Sequence, residues 1–146
     1  MKPLTFLLLF VLFTSCTVKI QPIEYGTDDC DFCKMGIVDN KHAAQLVTTK
    51  GKNYKFDAIE CMLHYIDQQN QPLTVYQHLL VADLLNPGVL IPAEEAHFII
   101  SKNIPSPMGA FLSATKTEVQ AQKLLDEYTG DHYYTFTTLR QQMSHH

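Results

Sequence analysis

Three cysteines, Cys30, Cys33 and Cys61, constrain this chain more than any other feature. A fourth, Cys16, ends a short apolar leader, and the leader decides how the other three are read. Lys2 supplies a basic n-region, Leu4 to Phe13 is an apolar run with one Thr, and Leu12-Phe13-Thr14-Ser15-Cys16 has the form of a bacterial lipobox. The run is too short to cross a hydrocarbon core of roughly 30 Å. Residues 1–15 therefore read as a lipoprotein signal peptide, Cys16 as the lipidated N-terminus, and 16–26 as a polar tether. An odd number of thiols remains in an exported domain, and an odd set cannot all pair within one chain. An unprotected thiol is a liability in an oxidising compartment. Metal ligation is the reading that gives all three something to do.

The rest of the composition narrows the function classes. Of 146 residues, 46% are hydrophobic and 18% charged, which is the balance of a globular domain rather than a disordered chain. Without the leader, which holds only Lys2, 10 basic and 15 acidic residues leave a net charge of −5. No basic patch is dense enough for nucleic-acid binding. No other segment is apolar for long enough to cross a membrane. There is no phosphate-cradling glycine loop, no Gly-x-Ser-x-Gly and no His-Glu-x-x-His, so the residues point to a binding protein and not an enzyme.

Hydrophobic period and turn chemistry predict an α+β chain. Ala44 to Thr48 and Tyr54 to Phe56 form a hairpin around Lys50-Gly51-Lys52-Asn53. Asp57 and Glu60 match a capping box for a helix over residues 58–68, with Ile59, Met62, Leu63 and Ile66 on its apolar stripe. Strands follow at 75–83, 89–91, 97–101 and 110–113. A second helix spans 117–128 with Val119, Leu124, Leu125 and Tyr128 facing inward; a strand at 133–136 and a short helix at 137–143 close the chain. The pattern suggests two small tandem α+β units, 27–72 and 73–146, split near 70–75. A unit of that size buries little core alone, so the two are expected to pack as one body.

The chemistry gathers in three places: Cys30-Asp31-Phe32-Cys33-Lys34-Met35, Cys61-Met62-Leu63-His64, and Pro107-Met108-Gly109. Cys30 and Cys33 can reach one ion across a tight turn. Cys61 and His64 share a helix face, and Cys61 sits near a helix N-terminus, which favours thiolate. Zinc would take Cys30, Cys33, Cys61 and His64 as a closed Cys3His set. Cu(I) would take two or three soft donors, for which Met35 and Met62 lie beside the thiols and Met108 in a loop. Iron–sulfur clusters need four cysteines or substitutes and are disfavoured. A redox Cys-x-x-Cys should open a helix, and Lys34-Met35-Gly36-Ile37 does not, so a thiol oxidoreductase is the weakest alternative. Each residue also has a bland reading. Met62 lies on an apolar stripe and fills core as readily as it ligates, and His64 is equally a surface histidine. Asp57 reads as a helix cap.

These residues resemble the NosL family, lipoproteins that act as copper chaperones for nitrous oxide reductase. The resemblance rests on Cys30 to Asp39 with Ala43-Ala44-Gln45 following, on Phe56-Asp57-Ala58-Ile59-Glu60-Cys61-Met62, and on Ala96 to Ser101 leading to Pro107-Met108-Gly109-Ala110. It covers roughly residues 28–136, and the lipobox fits it. The resemblance implies two related ββαβ-type, treble-clef-like units. It also implies Cu(I) held by cysteine and methionine, with Cys33 and Met35 foremost and Cys61, Met62 and Met108 next. The copper acceptor would be nitrous oxide reductase or its maturation machinery. The protein would be lipid-anchored in the bacterial envelope and face the periplasm. Thr17-Val18-Lys19 carries no acidic retention cue, so the outer membrane is favoured. Two departures stand out: Lys34 occupies a position where the family typically has glycine, and Cys61 one where it often has aspartate.

Overall fold

The computed structural model describes residues 17–143. The signal peptide and the lipidated Cys16 expected from the sequence lie outside the described residues. The hairpin forms as its turn residues dictate: β1 (Ala44–Thr48) pairs antiparallel with β2 (Asn53–Phe56), Ala44 facing Phe56 and Val47 facing Asn53. Gly51 takes φ 85° in the turn, a left-handed conformation that costs glycine nothing. Helix α1 (Ile59–Gln69) follows, and Asn70 ends it in the left-handed region. Strands β3 (Tyr76–Ala82) and β4 (Leu90–Pro92), both beyond the 70–75 segment, complete a four-stranded sheet of order β2-β1-β3-β4.

The second sheet has order β6-β5-β7, from β5 (His97–Ile100), β6 (Leu112–Thr115) and β7 (His132–Thr135). Helix α2 (Glu118–Tyr128) connects β6 to β7, and α3 (Phe136–Met143) closes the described chain. Thr117 caps α2 through a full capping box with Gln120, which satisfies two orphan amides reciprocally. Strand β6 begins two residues later than the 110–113 segment expected from the sequence. Phe111 and Gly109 both take positive φ there and hold the chain in a loop until Leu112.

The two sheets share one core. Phe56, Ile59, Met62 and Ile66 from the first half pack in the same buried cluster as Phe98, Leu112, Phe136 and Leu139 from the second. Asp83 bridges to Ala114, and buried His42 bonds Asp39 Oδ2 at 3.0 Å and Ser113 Oγ at 3.1 Å. The expected α+β architecture is what the chain forms, and its first sheet draws strands from both sides of the 70–75 segment.

Two inward assignments on α2 fail. Val119 is 79% exposed and Tyr128 is 37% exposed, because α2 turns only a narrow stripe, Ala121 and Leu124, into the protein. Asp57 does not cap α1 either. Ala58 is the N-cap, in extended conformation and without a side-chain bond, and Glu60 is buried and turned toward a distant loop.

Candidate metal centre

The turn from Cys30 to Met35 is closed by its own backbone: Cys30 N–H donates to the Met35 carbonyl at 2.7 Å and Lys34 N–H to the Cys30 carbonyl at 3.0 Å. Lys34 takes φ 66° to make that turn. A left-handed backbone disfavours any side chain with a Cβ, so Lys34 holds this turn in a conformation that favours glycine. Lys34 Nζ folds back onto the Asp31 carbonyl at 2.7 Å. The turn is tied to the end of β2 by Asp31 N–H to the Lys55 carbonyl and Lys55 N–H to Asp31 Oδ2, at 2.8 and 2.7 Å. Strand β2 then delivers Asp57, and the first turn of α1 delivers Cys61.

The result is a four-donor cluster. The ligand atoms of Cys30, Cys33, Asp57 and Cys61 all lie within 4.8 Å of one another. Cys30, Asp57 and Cys61 are buried and Cys33 is half-buried, so the set has a closed floor and one open side. All three sulfurs are free thiols. Cys33 Sγ donates to Asp57 Oδ1 at 3.5 Å.

Protons are distributed unequally. Cys61 S–H donates to Cys30, and backbone N–H groups of Cys33, Asp57 and Phe32 add to it, which lowers the Cys30 thiol to about 6. The same bond, with burial, holds the Cys61 proton far above the usual thiol range. Burial also raises Cys33. The helix N-terminus favours Cys61 as the thiolate; the hydrogen bonds instead make it Cys30, chiefly because Cys61 donates to that sulfur. One thiolate, two thiols and a carboxylate within ion-bridging distance form a soft-donor site with one hard oxygen, suited to Cu(I) or Zn(II).

The remaining candidates divide. His64 lies outside the cluster: it is exposed, and its ring stacks on Phe32 with centroids 5.7 Å apart. Met62 is fully buried in the common core. Met35 and Met108 are both exposed, at 57% and 41%. Met108 rides on a loop whose Ser106 Oγ donates to Glu60 Oε1 at 2.8 Å, next to Cys61. Its carboxylate partner Oε2 is buried without a bond. Asp57 is the donor that sequence reasoning assigned to another role. The signal that could have found it is its place directly after a strand ending on the cysteine turn.

The fold and this cluster define a small α+β protein with a thiol-rich cluster able to hold a metal ion. More particularly, the chain belongs to the NosL family, whose model matches residues 22–144. No curated protein matches it. Among solved structures, it is similar to the crystal structure of the copper chaperone NosL from Shewanella denitrificans, with a TM-score of 0.69 and 20% sequence identity. That match covers 83% of this chain and 95% of the other, and it supports the α+β arrangement described above.

Proposed function

We propose that the protein is a lipid-anchored, periplasmic Cu(I) metallochaperone that binds and transfers copper without catalysing a reaction. The observation that carries this reading is the convergence of three thiol sulfurs on one point, with Cys33 at the open side and Met35 exposed two residues on. Thiolate and thioether donors match Cu(I), and zinc has no use for the methionine. Membership of the NosL family and likeness to a protein described as a copper chaperone support it. Delivery to nitrous oxide reductase or its maturation machinery follows from the same resemblance.

Transfer would proceed by ligand exchange. Cu(I) is content with two or three soft donors, so a donor from the acceptor can add at the open side before Cys33 leaves. Buried Cys30 and Cys61 stay fixed through the exchange. The Cys33→Ser, Met35→Leu double variant is expected to lose Cu(I) affinity by more than about 100-fold in competition with a chromophoric Cu(I) chelator, with its circular dichroism unchanged. Unchanged affinity would sink the site assignment. A second reading is favoured by the presence of four donors: Cys30, Cys33, Cys61 and Asp57 would hold a structural Zn(II) in an envelope interaction module.

A further inference from the structure

The tether is fastened to the end of β2 farthest from the metal centre. Asn53 opens β2: its Oδ1 accepts from Gln21 N–H at 3.0 Å and its Nδ2 donates to the Lys19 carbonyl at 3.1 Å. Gln45 Nε2 locks the same strap, reaching the Gln21 carbonyl at 2.7 Å and Asn53 Oδ1 at 2.8 Å. Cys16 is three residues before Lys19, so even a fully extended chain puts it within about 11 Å of that fixed carbonyl. Wherever Cys16 is acylated, the hairpin turn comes to the bilayer with it.

That end of the molecule has its own chemistry. Lys19, Lys50 and Lys52 are all exposed there. Beside the turn, a cavity of about 590 Å³ is lined by Lys50, Lys52, Tyr54, Tyr65 and Tyr76, with hydroxyl and amide side chains and no acidic residue. Lys52 Nζ stands 4.6 Å over the Tyr54 ring, and the Tyr54 and Tyr65 rings lie 4.9 Å apart. Tyrosine and lysine are the side chains that favour the headgroup level of a membrane. The opposite end of β2 differs. Lys55 is paired with Asp28 at 2.6 Å, Lys34 is folded onto Asp31, and Asp57 sits in the metal cluster. An acidic protein thus carries three exposed lysines together at its point of attachment.

We infer that the Lys19, Lys50 and Lys52 face and its tyrosine-lined cleft bind the headgroup of an anionic phospholipid, holding the metal centre away from the membrane and open to its acceptor. The inference rests on the lipid-anchor reading above and is independent of which metal is bound. Each lysine near an anionic surface favours binding enough to change occupancy about fivefold.

The test uses full-length acylated protein, its acyl groups verified by intact mass, in vesicles of phosphatidylcholine with or without phosphatidylglycerol. A water-soluble amine-reactive reagent then reports each lysine by peptide mass. Phosphatidylglycerol is expected to protect Lys19, Lys50 and Lys52 by about fivefold or more and to leave Lys102 and Lys123 unchanged. The Lys50→Gln, Lys52→Gln variant is expected to lose the protection of Lys19. Equal reactivity of these lysines in both vesicles would overturn the inference, and so would equal protection of all lysines. Absence of acyl groups on Cys16 would contradict the anchor reading itself, a result distinct from either.

Discussion

At the scale of single residues, the centre depends on where protons sit. Cys30 is held at about 6 against an ordinary thiol value near 9.0, chiefly by the Cys61 bond. Between those values the folded protein carries a thiolate where the unfolded chain carries a thiol. The unfolded state therefore binds more protons, and stability rises with pH. The contribution is fully present above 9.0 and is lost as pH falls through about 6. Urea unfolding of the reduced, metal-free protein across that range is expected to show this slope, and Cys30→Ser to flatten it. Asp57 separates the two candidate metals. Its carboxylate is a hard donor, so Asp57→Asn is expected to weaken Zn(II) by about tenfold or more and Cu(I) by less than about threefold. Parallel chelator competitions would read both numbers, and equal losses would mean that the oxygen serves the two ions alike. Asp57 also marks a limit of reading residues in order. An aspartate three before a glutamate has the form of a cap, yet packing turned one carboxylate toward Cys33 and the other toward Ser106, 46 residues away.

At the scale of elements, local chemistry was legible and distant pairing was not. The β1–β2 hairpin follows from Lys50-Gly51-Lys52-Asn53, and α2 lies within the 117–128 segment expected to be helical. The Cys-x-x-Cys turn and the place of Cys61 on the next helix also follow from spacing. The partners of β5 do not: β6 and β7 flank it through connections that no local signal specifies. The helix faces were harder still, since α2 buries little and leaves Val119 in solvent. Loss of the α2 cap makes a clean test of element against site. Thr117→Ala is expected to cost about 1 kcal/mol of stability by chemical denaturation while metal affinity stays as it was, because α2 contributes no donor to the cluster.

At the scale of the whole molecule, one core joins both sheets, and Cys30 and Cys61 of the candidate metal site are part of it. Phe56, Phe98, Phe136 and Leu139 are buried in a single cluster that both halves build. A zinc-stapled unit would depend on its ion for folding; a chaperone must survive giving its ion away. Native mass spectrometry shows whether this fold carries copper without requiring it. Reduced, anaerobic protein is titrated with Cu(I) and with Zn(II) in separate runs, each against a competing chelator, with circular dichroism before and after stripping. The expected result is one Cu(I) retained against the chelator, Zn(II) readily removed, and an unchanged fold in the metal-free protein. One Zn(II) that withstands the chelator, with unfolding once it is forced out, would contradict it.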